Sequence, residues 1–458
     1  MSTSPAGRRR SRRRLASVTA LGLAIALAAV EAILDEARGL DAPAASEETP
    51  VADLGPTIYV IGDFGYPVPE LAAVGRAIRA HAATRATAGM LIELGDNVYP
   101  SGLPADSAAA ATQLGALVGL LDARAPAALG GEPLALLAIP GNHDHDAGMT
   151  QTWETAADAH GAIENEMLPA FDRPEWHYAP AHLDPPGDAE CPLATRLDRD
   201  GIRAIRTAAV PGTAGIAAWA CLTRPARAQP APAGLALIAI DSQVLIGLEH
   251  HGERGAADLH WRTLETLLAK ARSESLVPIV LGHHPLESYG RHRPLQPGRV
   301  AFGPGWPDFT QTSDYLLAIP GVAQLTVLGW YGSAWLHEQD VHAPGYAAYR
   351  RRLTEILTRH EVALYVAGHD HSLSLTDIGR SRDLGAIVGQ EGRLFQLVSG
   401  ATANLDPLSG GPALLYRRSK RGHARLALGR DAADGTRRLQ IEIEPLDEAP
   451  FRRTIAAR

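Results

Sequence analysis

Five apolar stretches of this chain end in the same way: each is followed, directly or after one proline, by glycine and then by an aspartate, asparagine or histidine. In chain order the pairs are TIYVI before GDFG, MLIEL before GDNVY, LALLAI before PGNHDH, VPIVL before GHHP, and VALYVA before GHDHS. One such ending would be an ordinary turn. Because ligand sites in α/β proteins lie at the carboxyl ends of strands, five endings in chain order predict one shared site.

The same stretches predict the fold. Continuous apolar runs, with a further one at 235–240, alternate with helical segments predicted at 70–84, 107–124 and 260–271. Strands that are apolar on both faces are typical of covered sheets, so the pattern favours an α/β protein. Near the C-terminus, FQLVSG, ARLAL and RLQIEIE are spaced like strands of an antiparallel sheet.

Two regions interrupt the alternation within a domain predicted to span 57–458. Residues 179–233 are rich in Pro, Ala, Gly and Arg, and residues 293–345 form a second irregular insertion. Inside the second, 22 residues from 315 to 336 carry no charge, which is long enough to cross a membrane. Pro320, Gln324 and the position between strands favour a buried or surface-docked insertion instead.

The N-terminus predicts targeting. Six arginines among residues 1–14 precede an uncharged apolar run at 15–30, the form of an export signal. We assign 1–38 to a signal or anchor and 39–56 to a linker. A cleaved signal, an uncleaved anchor within 15–34 and a plain amphipathic helix all stay open. In the first two cases the body is exported to the periplasm or the exterior, and an anchor would attach it to the membrane.

Charge and cysteine content exclude other classes. Removing the six positive charges from a net charge of −8 leaves −14, and an acidic body argues against a nucleic-acid partner. Cys191 and Cys221 are the two cysteines, so the chain is no disulfide scaffold and has no CxxC motif. Whether these two cysteines pair is left open.

From Thr57 to the C-terminus, the motif series resembles the calcineurin-like metallophosphoesterases, and among them the purple acid phosphatases of the small tartrate-resistant type. RPEWHYAP and VSGATANLDP belong to the same resemblance. It implies a four-layer αββα fold, in which a β-sandwich is flanked by helices. It also implies two metal sites. The first would be formed by Asp63, Asp96, Tyr99 and His371, and the second by Asp96, Asn142, His283 and His369.

Within the resemblance, Tyr99 indicates which metal ions to expect. Most members of the superfamily have a histidine two places after the first aspartate, where this chain has Gly65. Tyr99 would replace it as a phenolate. An anionic oxygen suits a hard trivalent ion, so we expect Fe(III) in the first site and Fe(II), Zn or Mn in the second.

The implied reaction is hydrolysis of phosphate monoesters by a metal-bound hydroxide, as in acid phosphatases. His143, beside Asn142, and His292, nine residues after His283, are the candidates to protonate the leaving group. The substrate would be a phosphorylated small molecule or a phosphoprotein. A phosphodiesterase or pyrophosphatase on the same metals and a catalytically dead metal-binding relative are the alternatives.

The export hypothesis gives a first prediction. SRRRLA resembles a twin-arginine signal, so replacing Arg12 and Arg13 with Lys should trap the chain inside the cell while keeping its charge. Cell fractionation measures this. Unchanged export would leave the general secretory route, and a wild-type chain found in the cytoplasm would contradict export itself.

Overall fold

The computed structural model describes residues 51–84, 90–99, 135–144, 176–178, 202–208, 217–222, 234–292 and 341–457, apart from single positions within these ranges. The predicted segments 1–50, 107–124 and 293–340 lie outside the described residues, and so does Cys191. Among the helices that can be described, none has the length and apolar character needed to cross a bilayer.

Two sheets form the body of the molecule. The strands of the first sheet are β1 Val51–Ala52, β2 Ile58–Ile61, β3 Met90–Glu93, β4 Ala135–Ala138, β5 Trp176–Tyr178, β14 Gly422–Asp431, β15 Arg437–Pro445 and β16 Phe451–Ala456. The strands of the second sheet are β6 Ile202–Ala208, β7 Ala217–Leu222, β8 Leu235–Ala239, β9 Val277–Leu281, β10 Leu364–Ala367, β11 Leu373–Asp377, β12 Phe395–Ser399 and β13 Leu414–Arg418.

Each sheet contains four consecutive parallel strands, which are flanked by antiparallel strands on one side in the first sheet and on both sides in the second. The first has the order β16-β15-β14-β2-β3-β4-β5, with β1 paired to β14, and the second has the order β13-β11-β12-β10-β9-β8-β7-β6. Strands β2 to β5 are parallel to one another, as are β8, β9, β10 and β12. The parallel strands of each sheet therefore end at a common edge. The antiparallel C-terminal strands predicted from ARLAL and RLQIEIE are found as β14 and β15.

Side-chain alternation divides the chain into layers. Ile58, Val60 and Ile92 of the first sheet pack against Leu237 and Leu281 of the second, in a buried core between the sheets. Each such side chain contributes about 1.5–3 kcal/mol when fully buried. Since neighbouring residues of a strand point to opposite faces, the intervening residues face outward and need helices to cover them.

The described residues form five α-helices. They are α1 Leu71–Ala82, α2 Ser242–His251, α3 Arg254–Ser273, α4 Pro344–Arg359 and the short α5 Gly385–Val388. The Tyr59 hydroxyl lies 2.8 Å from His81 Nδ1, which places α1 on the outer face of the first sheet. Trp261 of α3 and Tyr349 of α4 lie in the second core, on the outer face of the other sheet. The predicted αββα sandwich is confirmed.

One predicted boundary differs from the structure. Within 179–233, which was expected to be irregular, 202–208 and 217–222 are strands β6 and β7, paired antiparallel to each other and, through β7, to β8. Their apolar residues, in IRAIRTA and AAWACL, extend the second sheet by two strands. Ala, Gly, Pro and Arg in the flanking segments conceal this signal, because these residues have weak strand propensity.

Candidate metal centre

Strand ends from both sheets meet at one edge of the sandwich. Asp63 follows β2 and donates its backbone N–H to Gly95 O, which follows β3 (3.0 Å). Asp63 Oδ2 then accepts the backbone N–H of His369, which follows β10 of the other sheet (2.9 Å). Ser399 Oγ, at the end of β12, donates to Val60 O (2.9 Å). The motifs after β2, β3 and β10 are therefore brought to one place.

The first group of donor atoms surrounds the Tyr99 hydroxyl. This oxygen lies 2.7 Å from Asp96 Oδ2, 3.2 Å from His371 Nε2 and 3.4 Å from Asp63 Oδ1. Asp63, Asp96 and Tyr99 are each no more than 3% exposed. Three oxygens that can be anionic and one imidazole thus converge in a buried position, which is the donor set of a hard cation.

The second group surrounds Asn142 Oδ1. This oxygen lies 2.9 Å from His283 Nε2 and 3.0 Å from His369 Nδ1. His283 Nε2 is also 3.4 Å from Asp96 Oδ1, the carboxylate oxygen that the first group does not contact. Asp96 therefore presents one oxygen to each group. The structure brings together all seven residues named as ligands, in the two sets implied by the resemblance, and their binding of metal stays a prediction.

An unusual backbone conformation orients three of these side chains toward the site. Asp63, Asp96 and His369 have φ values of +55°, +55° and +65°. This left-handed region is unfavourable for residues with a Cβ and is concentrated at functional sites. Each of the three follows the glycine that ends a strand, so the positive φ turns the side chain back toward the edge of the sheet.

Glycine is required where the loops after β3 and β4 touch. Gly95 has a φ of +93°, and a Cβ there would lie 2.6 Å from Gly141 N and 2.8 Å from His283 Nδ1. Real Cβ atoms do not approach other atoms so closely. The glycines of the motifs are therefore needed for the approach of Asp96 to Asn142 and His283.

A hydrogen bond and a carboxylate contact orient two of the imidazole rings. His283 Nδ1 lies 2.8 Å from Leu94 O. A carbonyl can only accept, so Nδ1 carries the proton and Nε2 directs its lone pair into the second group. His371 Nδ1 lies 3.6 Å from Asp406 Oδ1, which leaves its Nε2 facing the first group. A carboxylate behind a ligating histidine is a common arrangement in metal sites.

Without cations, two of the three oxygen donors in the first group resist ionisation. Burial, and then the negative charge of Asp96 and Asp63, raises the pKa of Tyr99 well above its usual range. Burial is also the main cause that raises the pKa of Asp63 to about 8, and the neighbouring Asp96 adds to it. Protein groups alone therefore keep the phenol and one carboxyl group neutral, and positive ions would be needed to make all three oxygens anionic.

The two histidines of the second group differ. Burial lowers the pKa of His283, but the negative charges of Asp96 and Asp63 outweigh it and raise this pKa to about 9. Burial, followed by the nearby His292 and His284, lowers the pKa of His369 well below its usual range. Its Nε2 is buried and has no hydrogen-bond partner within the described residues. Asp63, Asp96 and His283 each offer a ligand atom, and these atoms lie within 4.8 Å of one another. The donors present thus fit a pair of metal ions.

The two candidate proton donors lie beside different donor groups. The His143 ring is 4.3 Å from the Tyr99 ring, and its backbone N–H donates to Asp96 Oδ1 (2.9 Å). The His292 ring stacks on the His369 ring, with centroids 4.3 Å apart and an angle of 27°. His143 thus borders the first group and His292 the second. Their role in proton transfer stays a prediction.

Sequence reasoning missed the residues that support the ligands. Asn97 donates its side-chain amide to Asp144 Oδ2 (2.8 Å) and to Ile139 O (3.0 Å), which ties the loop after β3 to the loop after β4. Asp370 and Asp406 contact the site from the second sheet. All four stand inside quoted motifs, Asp406 in VSGATANLDP, so position within a motif was the available signal.

No family model and no curated protein matches this chain. Among similar solved structures, GAP50, titled the anchor in the inner membrane complex of Plasmodium, has a TM-score of 0.47 and 12% identity, over 89% of this chain and 90% of that chain. A purple acid phosphatase from yellow lupin seeds has a TM-score of 0.45 and 12% identity, over 90% of this chain and 55% of that chain. A dimetal phosphatase from Danio rerio has a TM-score of 0.41 and 11% identity, over 89% of this chain and 100% of that chain.

These similar structures include phosphatases of the type that the sequence motifs resemble. At 11–12% identity the similarity concerns the fold and assigns no activity. The chain spans only 55% of the lupin enzyme.

The shared carboxylate gives a second prediction. Asp96→Asn removes one negative charge that faces both donor groups, so we expect both metals to be lost, with an activity loss greater than the roughly 10–100-fold typical of outer-shell partners. Metal analysis of the purified variant beside Asp434→Asn, a change at a fully exposed aspartate, measures the effect. Two retained metals per chain at a near-normal rate would contradict the shared site.

Proposed function

We propose that this protein is an exported phosphatase with two metal ions that hydrolyses phosphate monoesters, of the acid phosphatase type. The observation that carries the proposal is the division of buried donors into two groups that share Asp96, one oxygen to each. A bridging carboxylate is what holds a pair of metals at the separation that suits phosphate esters. The phosphatases among the similar structures support the same reaction class.

The donor types support a mixed metal pair. The first group has Tyr99 and two carboxyls beside one histidine, which favours Fe(III). The second has two imidazoles, an amide oxygen and a shared carboxylate, which favours divalent Fe, Zn or Mn. When bound, such ions supply positive charge to the phosphate oxygens and lower the pKa of water.

The residues of the chain would then hold the metal ions in position and protonate the leaving group. Asp96, held by the His143 backbone N–H and the Tyr99 hydroxyl, fixes the two groups relative to each other. His143 and His292 border this centre on two sides, where either ring can pass a proton to the departing alcohol oxygen. The buried donors keep their geometry because their loops are tied to both sheets.

Two other functions use the same arrangement. A phosphodiesterase or pyrophosphatase needs the same metals, because the metal centre does not fix the substrate. A catalytically dead relative is the third reading, and a structure titled as an anchor is among the similar ones. The presence of all seven predicted ligands in one buried cluster favours an enzyme over the dead relative.

The third prediction concerns the ester. With metals bound, kcat/KM for p-nitrophenyl phosphate should exceed that for bis(p-nitrophenyl) phosphate and for pyrophosphate by about tenfold or more. The Asp96→Asn preparation controls for contaminating phosphatases. A higher rate on the diester or on pyrophosphate would replace the monoesterase by that alternative, and no hydrolysis of any of the three would favour the dead relative.

The fourth prediction concerns Tyr99. If its phenolate binds Fe(III), the iron-loaded protein should be coloured, because charge moves from phenolate to iron. Tyr99→Phe keeps the ring that packs on Tyr66 and His143 and removes only the hydroxyl. The visible band should disappear while the far-UV circular dichroism stays unchanged.

Tyr66→Phe is the matched control. Tyr66 stacks on Tyr99, with ring centroids 4.3 Å apart, and its ring is partly exposed. This variant should keep the band. An active, iron-containing wild type without a visible band would end the purple-phosphatase assignment and leave the broader metallophosphoesterase one.

A further inference from the structure

We propose that Asp370 is a positioning residue, which binds the segment 288–290 so that His292 is held against the metal centre. The inference deepens the proposed function and rests on it. Asp370 stands between two predicted ligands, His369 and His371, and its role differs from theirs because its carboxylate faces the loop that follows β9.

The contacts of Asp370 carry the proposal. Its Oδ1 accepts the Ser288 hydroxyl at 2.9 Å. Its Oδ2 accepts the backbone N–H of Tyr289 at 3.1 Å and of Gly290 at 3.3 Å. The side chain is 2% exposed. Three donors from three consecutive residues thus meet one buried carboxylate, a charge-assisted arrangement stronger than a neutral one.

The sequence of the loop is adapted to this approach. A Cβ at Gly290 would lie 2.9 Å from both Cγ and Oδ1 of Asp370. A side chain at this position would push the loop away from the carboxylate. Glycine therefore permits the backbone to come within hydrogen-bonding distance of a residue that lies between two ligands.

The first half of the loop is fixed by other groups. Gln396 accepts from Glu287 N (3.0 Å) and donates to Glu287 O (2.7 Å), and the Tyr346 hydroxyl donates to Pro285 O (2.8 Å). These contacts end at Glu287. Asp370 continues the series over the next three residues and brings the chain to within two residues of His292.

His292 is the residue whose position depends on this loop. Its ring stacks on His369 at 4.3 Å, directly beside the carboxylate that orders the preceding turn. Asp370 follows His369 in the chain. The same short segment therefore supplies both the metal ligand under the His292 ring and the anchor of the loop that carries it. Small displacements of an acid from its reacting atom reduce the rate strongly.

The chemical step shows which substrates depend on the position of His292. Hydrolysis forms a bond from phosphorus to a water oxygen and breaks the bond to the alcohol oxygen. The alcohol oxygen takes a proton from the His292 imidazolium, and the proton that water gives up restores the ring. An alkoxide is a poor leaving group and needs this proton, whereas a nitrophenolate leaves without much help.

The test compares these leaving groups. With metals bound, the His292→Ala variant should have a kcat on glycerol 2-phosphate roughly 10²–10⁴-fold below that of wild type, and a much smaller loss on p-nitrophenyl phosphate. Asp370→Asn, which keeps the shape and removes the charge, should lower the glycerol 2-phosphate kcat by about 10–100-fold with the same preference. In the double variant the losses should not multiply, because both act through one group.

The matched control is Asp377→Asn. Asp377 lies at the opposite end of β11 and also accepts two backbone N–H groups, from Gly379 (3.0 Å) and Gly392 (2.8 Å). It should change stability without changing the ratio of the two rates. Ser288→Ala, which removes one of the three contacts, should shift the ratio in the direction of Asp370→Asn by a smaller factor, and it serves if Asp370→Asn does not fold.

A second readout needs no activity. In the metal-free protein, hydrogen exchange of the peptide spanning 288–292 should be faster in Asp370→Asn than in wild type and unchanged in Asp377→Asn. Equal loss on both esters, multiplying losses in the double variant, or unchanged exchange would each overturn the positioning role. A wild type that hydrolyses neither ester would instead reject the proposed function, and this is seen before any variant is made.

Discussion

The whole arrangement depends on holding several anionic oxygens in one buried place. Asp63, Asp96 and Tyr99 converge with little contact to water, and burial is the main cause that raises the pKa of Asp63 and of Tyr99. A buried charge is costly unless it is paired, and here the protein brings further oxygens toward it. The cluster is therefore a structure built for cations, and the fold must supply the rigidity that keeps these groups from moving apart.

That rigidity comes from the sandwich. Parallel strands end at one edge of each sheet, and the core between the sheets fixes the two edges relative to each other. The loops are then tied across the gap by backbone groups, as in the bond from His369 N to Asp63 Oδ2. Positive φ angles at three ligand positions cost about 1–3 kcal/mol each, and the packed strands sustain them.

Support continues outward in layers. Leu94 O and Asp406 orient two imidazoles, while the Asn97 and Asp144 pair joins two loops of the first sheet. Asp370 then extends the order to the segment that carries His292. The short motif GHDH thus combines two predicted ligands with an aspartate between them that binds the 288–290 loop.

The sequence by itself predicted most of the strands, because strand hydrophobicity and the glycine after each strand are local signals. The resemblance of its motifs to a known family implied the αββα layers and the seven candidate ligands. It also named His143 and His292. Only the tertiary structure decided that Asp96 divides its oxygens between two groups and that Asp370 faces the 288–290 segment. It likewise showed that part of 179–233 extends the second sheet. These facts depend on contacts between residues far apart in the chain, such as Asp370 and Gly290, and no local pattern encodes which partner a side chain meets.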